Sequence, residues 1–190
     1  MNEEHMDHLE DRTELNELMA VRREKLRDLI DLGIDPFGEK FECTHSAKQI
    51  LENFADLEGQ ETAIAGRIMS LRTHGKATFA DLMDSSGRIQ LYFRIDVLGE
   101  EQYGLLEKVD LGDILGIRGK IFRTRRGEIS VEVHNMKFLS KSLRPLPSQW
   151  YGLKDVDLRY RQRYVDLIVN PEVRRVFETR SRIIQCIREF

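Results

Sequence analysis

The feature that most restricts what this chain can fold into is a change of hydrophobic period at about residue 61. Before it, apolar residues recur at helical spacing. After it they alternate, so that one face of an extended segment is apolar and the other polar, the pattern of a strand buried on one side. Strand-like runs fall at 62–71, 77–83, 88–94, 112–122 and 129–139. His74-Gly75, Ser85-Ser86-Gly87 and Arg126-Gly127 supply turn residues between them, and the stretch near 100–109 reads as a helix.

Three strands, one helix and two further strands is the order of a five-stranded OB-fold barrel. An SH3-like barrel would lack the helix after the third strand. A barrel closes on itself and leaves no long edge to aggregate. Gly66, Gly112, Gly116 and Gly119 lie inside the runs, where a small barrel needs bulges and tight bends. The fold class expected is therefore mainly β with flanking helices.

The flanks read as follows. Residues 1–13 are polar and acidic and are expected to form a disordered tail. Residues 14–60 form a helical segment. Leu15, Leu18, Met19, Leu26, Leu29 and Ile30 share a face of a helix over 14–32, with Asp11 or Thr13 as its cap and Gly33 where a C′ glycine belongs. Arg22, Arg23, Lys25 and Arg27 lie mostly off that face, as a solvated surface or a contact for RNA. Ser46-Ala47-Lys48-Gln49 has the form of a capping box opening a second, short helix. The barrel spans 61–141 and a linker 142–170, where Pro145 and Pro147 forbid a continuous ladder. Asn170-Pro171-Glu172 then reads as N-cap, first-turn proline and first-turn acid of a helix whose apolar stripe is Val173, Val176, Phe177, Ile183, Ile184, Ile187 and Phe190. That stripe reaches Phe190 uncapped, so the chain reads as a piece of a longer protein.

Composition bounds the rest. Of the 190 residues, 41% are hydrophobic and 33% charged, enough for a core and a well-solvated surface. No apolar run is long enough to span a bilayer, and the first thirty residues carry no apolar signal core, so a cytoplasmic chain is expected. Cys43 and Cys186 are far apart and read as ordinary thiols; His5 and His8 read as tail residues rather than a metal pair, and no metal site is expected. The net charge of −3 conceals a split: residues 1–62 hold 7 basic against 17 acidic groups, and residues 63–150 hold 14 against 10. Any contact with a polyanion is thus expected after residue 62.

Several stretches together resemble class II lysyl-tRNA synthetases. Leu143-Arg144-Pro145-Leu146-Pro147, followed by Arg159-Tyr160-Arg161-Gln162-Arg163-Tyr164-Val165-Asp166-Leu167, is similar to the linker of that family. Gly75-Lys76-Ala77-Thr78-Phe79, Gly87-Arg88-Ile89-Gln90-Leu91-Tyr92, Asp110-Leu111-Gly112-Asp113 and Thr124-Arg125-Arg126-Gly127-Glu128-Ile129-Ser130 resemble its barrel. Arg22-Arg23-Glu24-Lys25-Leu26 matches its first helix; Asp157 stands where the family usually has Glu. The resemblance implies that the barrel reads the anticodon of lysine tRNA. It further implies that 171–190 is the truncated start of a catalytic domain, holding part of motif 1, a dimer-interface element. Motifs 2 and 3 are absent from these residues, so no catalytic residue is expected here. Joining lysine to tRNA with ATP and magnesium is implied for a full-length homodimer only.

Reading an anticodon is a problem of single-stranded RNA, solved with aromatic stacking and hydrogen bonds to base edges. The resemblance assigns Phe79 to stack on the central uridine, Gln90 to pair with its edge, Arg67 as a cationic partner and Glu128 as acceptor for a flanking uridine. Without the resemblance Phe79 reads as a core residue and Gln90 as a solvated one, while Arg67 could pair with a surface acid and Glu128 could be a turn residue. Arg123, Arg125 and Arg126 are candidate phosphate contacts or a solvated hairpin tip. A generic single-strand binder and a protein adaptor using the leading helix are the competing functions.

Overall fold

The computed structural model describes residues 3–38, 40–147, 153 and 155–190. The chain divides into two compact units, Met1–Pro145 and Leu146–Phe190. In the first, five strands close a barrel: β1 (Glu61–His74), β2 (Ala77–Met83), β3 (Arg88–Arg94), β4 (Ile114–Arg123) and β5 (Ile129–Ser140), in the spatial order β1-β2-β3-β5-β4. All pairs are antiparallel except β3 with β5, which run parallel and complete the closure. The expected OB-fold is thus that of the structure, and the strand limits agree to within three residues, the end of β1 differing most.

The alternation drives this arrangement. On β2 the buried side chains are Thr78, Ala80 and Leu82, and on β3 they are Ile89, Leu91 and Phe93. They meet Ile64, Ile68, Leu115, Ile117, Ile121, Val131, Val133 and Phe138 in one core. Burying each such aliphatic or aromatic side chain contributes roughly 1.5–3 kcal/mol. Register shifts fall at Ile68/Ser70 on β1 and at Ile114/Leu115 and Arg118/Gly119 on β4. Of the glycines expected at bends, Gly119 adjoins one of these shifts. A Cβ there would lie 2.0 Å from the Glu132 carbonyl oxygen, so the two backbones approach as closely as they do only because the side chain is missing. Gly116 has a different reason: a Cβ would meet the Phe41 ring at 2.5 Å.

The helix predicted after the third strand is three short pieces, α4 (Ile95–Leu98), α5 (Glu100–Gly104) and a 3-10 turn (Leu105–Lys108), which seat Leu98 and Leu106 on the barrel core. Upstream lie α1 (Glu3–Asp31), α2 (Ala47–Glu52) and α3 (Phe54–Leu57). The capping box is present: the Ser46 hydroxyl accepts from the Gln49 amide and the Gln49 side chain accepts from the Ser46 amide at 2.8 Å. Asp84, in the β2–β3 turn, adds a second cap by accepting from the Ala47 amide at 2.7 Å.

Two expectations for the leading segment do not hold. The disordered tail was expected to reach residue 13, but α1 is helical from Glu3; no glycine or proline interrupts 3–31, so nothing local stops the helix. Arg22 is neither a solvated cation nor free to meet RNA. It is buried, and it donates to the carbonyls of Leu111, Ser142 and Arg144 at 3.0, 2.8 and 3.2 Å. Next to it, Lys25 pairs with Asp110 at 2.7 Å, and Asp28 pairs with Lys108 at 2.5 Å. Leu29 is the one residue of the expected apolar stripe that is fully buried; Leu15, Leu18 and Ile30 are exposed. The helix is held to the barrel by directed ionic and carbonyl contacts on a basic face, which hydrophobic periodicity does not register.

The second unit contains α6 (Val156–Arg161), α7 (Arg163–Val169) and α8 (Pro171–Glu189), so part of the expected linker is helical. Pro171 opens α8 as expected, but the Asn170 side chain does not cap it. Its amide donates instead to Asp166 at 2.6 Å. Asp166 is buried and also accepts from Arg159 at 2.9 Å and from Arg163. Burial works against its charge, but the Asn170 bond and the two guanidinium groups outweigh it and hold the carboxyl below the ordinary range. Among the described residues no helix is long and apolar enough to cross a membrane.

Candidate nucleic-acid interface

Two rows of paired residues cross the five strands. Cross-strand pairing sets Arg72, Phe79, Tyr92, Glu132 and Lys120 in one row, on β1, β2, β3, β5 and β4. Ser70, Asp81, Gln90, Ser130 and Phe122 form the row beside it. Both rows arise from the same period of two that builds the core, since residues opposite one another on neighbouring strands share a face.

An aromatic platform runs along this surface. The Phe79 and Tyr92 rings stack with centroids 4.7 Å apart at 22°, and Tyr92 lies 5.7 Å from Phe122 at 38°. Phe79 is therefore on the outer face, half-buried, and not in the core. One face of its ring is covered by Tyr92, and its direct cross-strand partner on β1 is Arg72. Arg72 is exposed and sits 3.6 Å from Asp81, which also accepts from the Ser70 hydroxyl at 2.6 Å. The cation on the strand next to Phe79 is thus held by an ion pair at the surface.

Gln90 lies next to the platform. Its side-chain oxygen accepts from the buried Ser130 hydroxyl at 2.9 Å. The structure thus brings Phe79 and Gln90 onto adjacent strands of one face. Arg67 is on β1 as expected but opposite Met83, toward the edge of this face, where it donates to the Gly112 carbonyl at 2.6 Å. Glu128 is exposed in the β4–β5 hairpin, whose backbone is closed by Thr124 and Glu128 exchanging bonds of 2.8 and 3.0 Å.

The three hairpin arginines differ from one another. Arg125 and Arg126 are exposed at the tip. Arg123 is also exposed but engaged: its guanidinium lies 4.5 Å from the Phe54 ring centroid on α3 and donates to the Gly127 carbonyl at 3.1 Å. Sequence reasoning passed over Arg72, Tyr92, Phe122 and Ser130. Tyr92 had a signal, as it follows Gln90 by two positions on the same strand. The others depend on which strands become neighbours.

A closed five-stranded barrel in this strand order is an OB fold, and one outer face of it bears aromatic, amide and guanidinium groups. Residues 62–139 match the family model of the OB-fold nucleic acid binding domain. Across almost its full length the chain is also similar to proteins named lysine–tRNA ligase. Identity is 63% over 175 residues with that of Moorella thermoacetica, covering 92% of this chain and 36% of the relative. It is 59% over 177 residues with that of Pelotomaculum thermopropionicum, covering 93% and 35%. With the Bacillus subtilis ligase it is 48% over 184 residues, covering 93% and 37%. The chain is thus similar to a part of these ligases that includes the OB-fold domain, and it spans about a third of the length of the relatives it matches.

Proposed function

We propose that this chain binds the anticodon loop of lysine tRNA through the outer face of β1, β2 and β3 and the β4–β5 hairpin. It does so as part of a longer lysine–tRNA ligase that joins lysine to tRNA with ATP and magnesium. The observation that carries the reading is the stacked Phe79–Tyr92 pair with the Gln90 amide on the neighbouring row.

A base laid on the Phe79 ring gains stacking energy without regard to its identity; the amide beside it supplies the choice. Uracil offers a donor, N3–H, between two acceptors, which an amide meets with one acceptor and one donor. The β1 arginines supply positive charge: Arg72 beside the ring, Arg67 at the edge. Glu128, exposed on its hairpin, accepts from a flanking uridine, and Arg125 and Arg126 meet backbone phosphate. The ligation itself falls to parts of the longer protein. The exposed Val176, Ile183 and Ile187 of α8 support its extension to a homodimer, acting in the cytoplasm.

The test is a titration of stem-loops differing only at the central anticodon base. Uridine is expected to bind more tightly than cytidine, with affinity falling as salt rises. Equal binding of the two loops overturns the assignment of this face.

A further inference from the structure

We infer that Ser130 is a positioning residue that decides which pyrimidine this face selects, by holding the Gln90 amide in one of its two orientations. The inference rests on the proposed reading of Gln90 and goes beyond it, because Gln90 alone does not determine the choice.

A glutamine amide is nearly symmetric in shape and opposite in chemistry at its two ends. Turned one way it presents NH2 where a base carries its C4 substituent and oxygen where the base carries N3; turned the other way it presents the reverse. Uracil, with O4 an acceptor and N3–H a donor, fits the first orientation. Cytosine, with N4–H2 a donor and N3 an acceptor, fits the second. An amide free to turn would serve both bases and select neither.

In this barrel the amide is not free. The Ser130 side chain is buried, so its hydroxyl proton needs an acceptor inside the protein. Two lie in reach: Gln90 Oε1 at 2.9 Å and the Glu128 carbonyl oxygen at 3.5 Å. The first is a good hydrogen bond and the second is at the limit of one. Donation to Oε1 directs Nε2 away from Ser130, while Oε1 keeps a second lone pair for the base. Turning the amide would put Nε2 against the Ser130 oxygen, which would accept from it, and would leave the hydroxyl proton with only the long Glu128 contact. The arrangement comes from the parallel β3–β5 pair, in which Gln90 and Ser130 are direct partners although 40 residues apart.

The consequence differs from that of an ordinary supporting residue. Loss of a support would weaken uridine and cytidine loops alike. Loss of an orientation lock lets the amide turn for cytidine, so the cytidine loop binds better while the uridine loop binds slightly worse. In Ser130→Ala the uridine-to-cytidine ratio is expected to fall by about two- to tenfold, the worth of one net hydrogen bond. Ser130→Thr, which keeps the hydroxyl, should restore it. A parallel loss for both loops, or an unchanged ratio, overturns the role of Ser130 while leaving the wild-type preference for uridine, and with it the proposed function, intact. A wild-type protein with no preference overturns both. A second measurement needs no variant. In the RNA-free protein the Ser130 hydroxyl proton should exchange slowly and show a nuclear Overhauser effect to the Gln90 side chain; a rapidly exchanging hydroxyl refutes the lock.

Discussion

Phe79 on β2 and Tyr92 on β3 are direct cross-strand partners, and their rings stack with centroids 4.7 Å apart. The contact covers one face of the Phe79 ring and braces it on the barrel surface. The stacking surface is therefore a two-residue device. Phe79→Ala should weaken every loop able to stack there by roughly 1–3 kcal/mol, whatever its central base. Tyr92→Ala should produce a smaller loss of the same kind, about 0.5–1.5 kcal/mol, since it removes only the brace. Titration of uridine and cytidine loops checks both; a change in their ratio in either variant contradicts this division of labour.

Gln90 carries the choice between bases. Gln90→Ala should cost the uridine loop roughly 1–3 kcal/mol, because its edge is left unpaired in a partly dry site, and should narrow the gap to cytidine. The comparison with Phe79→Ala is the informative one: the first changes the ratio, the second the scale.

The hairpin arginines should separate by function. Arg126→Ala is expected to weaken all sequences equally and to lower the slope of log affinity against log salt by about one. Arg123 lies over Phe54 and holds the Gly127 carbonyl. Its replacement by Ala should therefore appear as lost stability, about 0.5–2 kcal/mol for the cation–π contact, with the salt slope kept. Binding at two salt concentrations and denaturant midpoints distinguish them.

Lys141 should be the most sensitive polar position in the first unit. Its ammonium is fully buried, 2.7 Å from Asp113 and 2.5 Å from Asp110, and it also donates to the Lys108 carbonyl at 2.7 Å. Lys141→Met takes the ammonium from the buried Asp113 and leaves Asp110 with Lys25 alone, and should cost about 3–5 kcal/mol by urea denaturation.

Acid should unfasten the same junction. Burial tends to raise the Asp110 carboxyl, but the ammonium groups of Lys141 and Lys25 overcome it and hold the group below the usual carboxylate range. Asp84 is likewise lowered against burial by the Ala47, Gly87 and Ser86 amides and the Ser86 hydroxyl. A carboxyl depressed in the folded state contributes stability above its unfolded value of about 4, and loses it as pH falls through the folded value. Stability of the wild type should thus decline below about pH 4. Asp84→Asn should flatten that decline, as read from urea midpoints between neutral and acid pH.

Much of the fold was legible without coordinates, and for a local reason. A strand buried on one face must alternate, and a capping box must place Ser46 three residues before Gln49, so strand limits and helix starts are written in short windows of sequence. The period places Phe79 and Gln90 on β2 and β3, but only the resemblance assigns Phe79 to the outer face, since alone it reads as a core residue. What the sequence could not determine was adjacency. Alternation says that Gln90 and Ser130 each point outward, but only barrel closure through the parallel β3–β5 pair makes them partners. The same holds for Arg72, which the β1–β2 register sets against Phe79 while Arg67 falls opposite Met83. It holds for Arg22, whose burial is decided by carbonyls at Leu111, Ser142 and Arg144, some 89 to 122 positions away in the chain. Local sequence dictates which face a side chain occupies; the groups it meets there come from distant segments, and the free energy that selects them exists only once the barrel has closed.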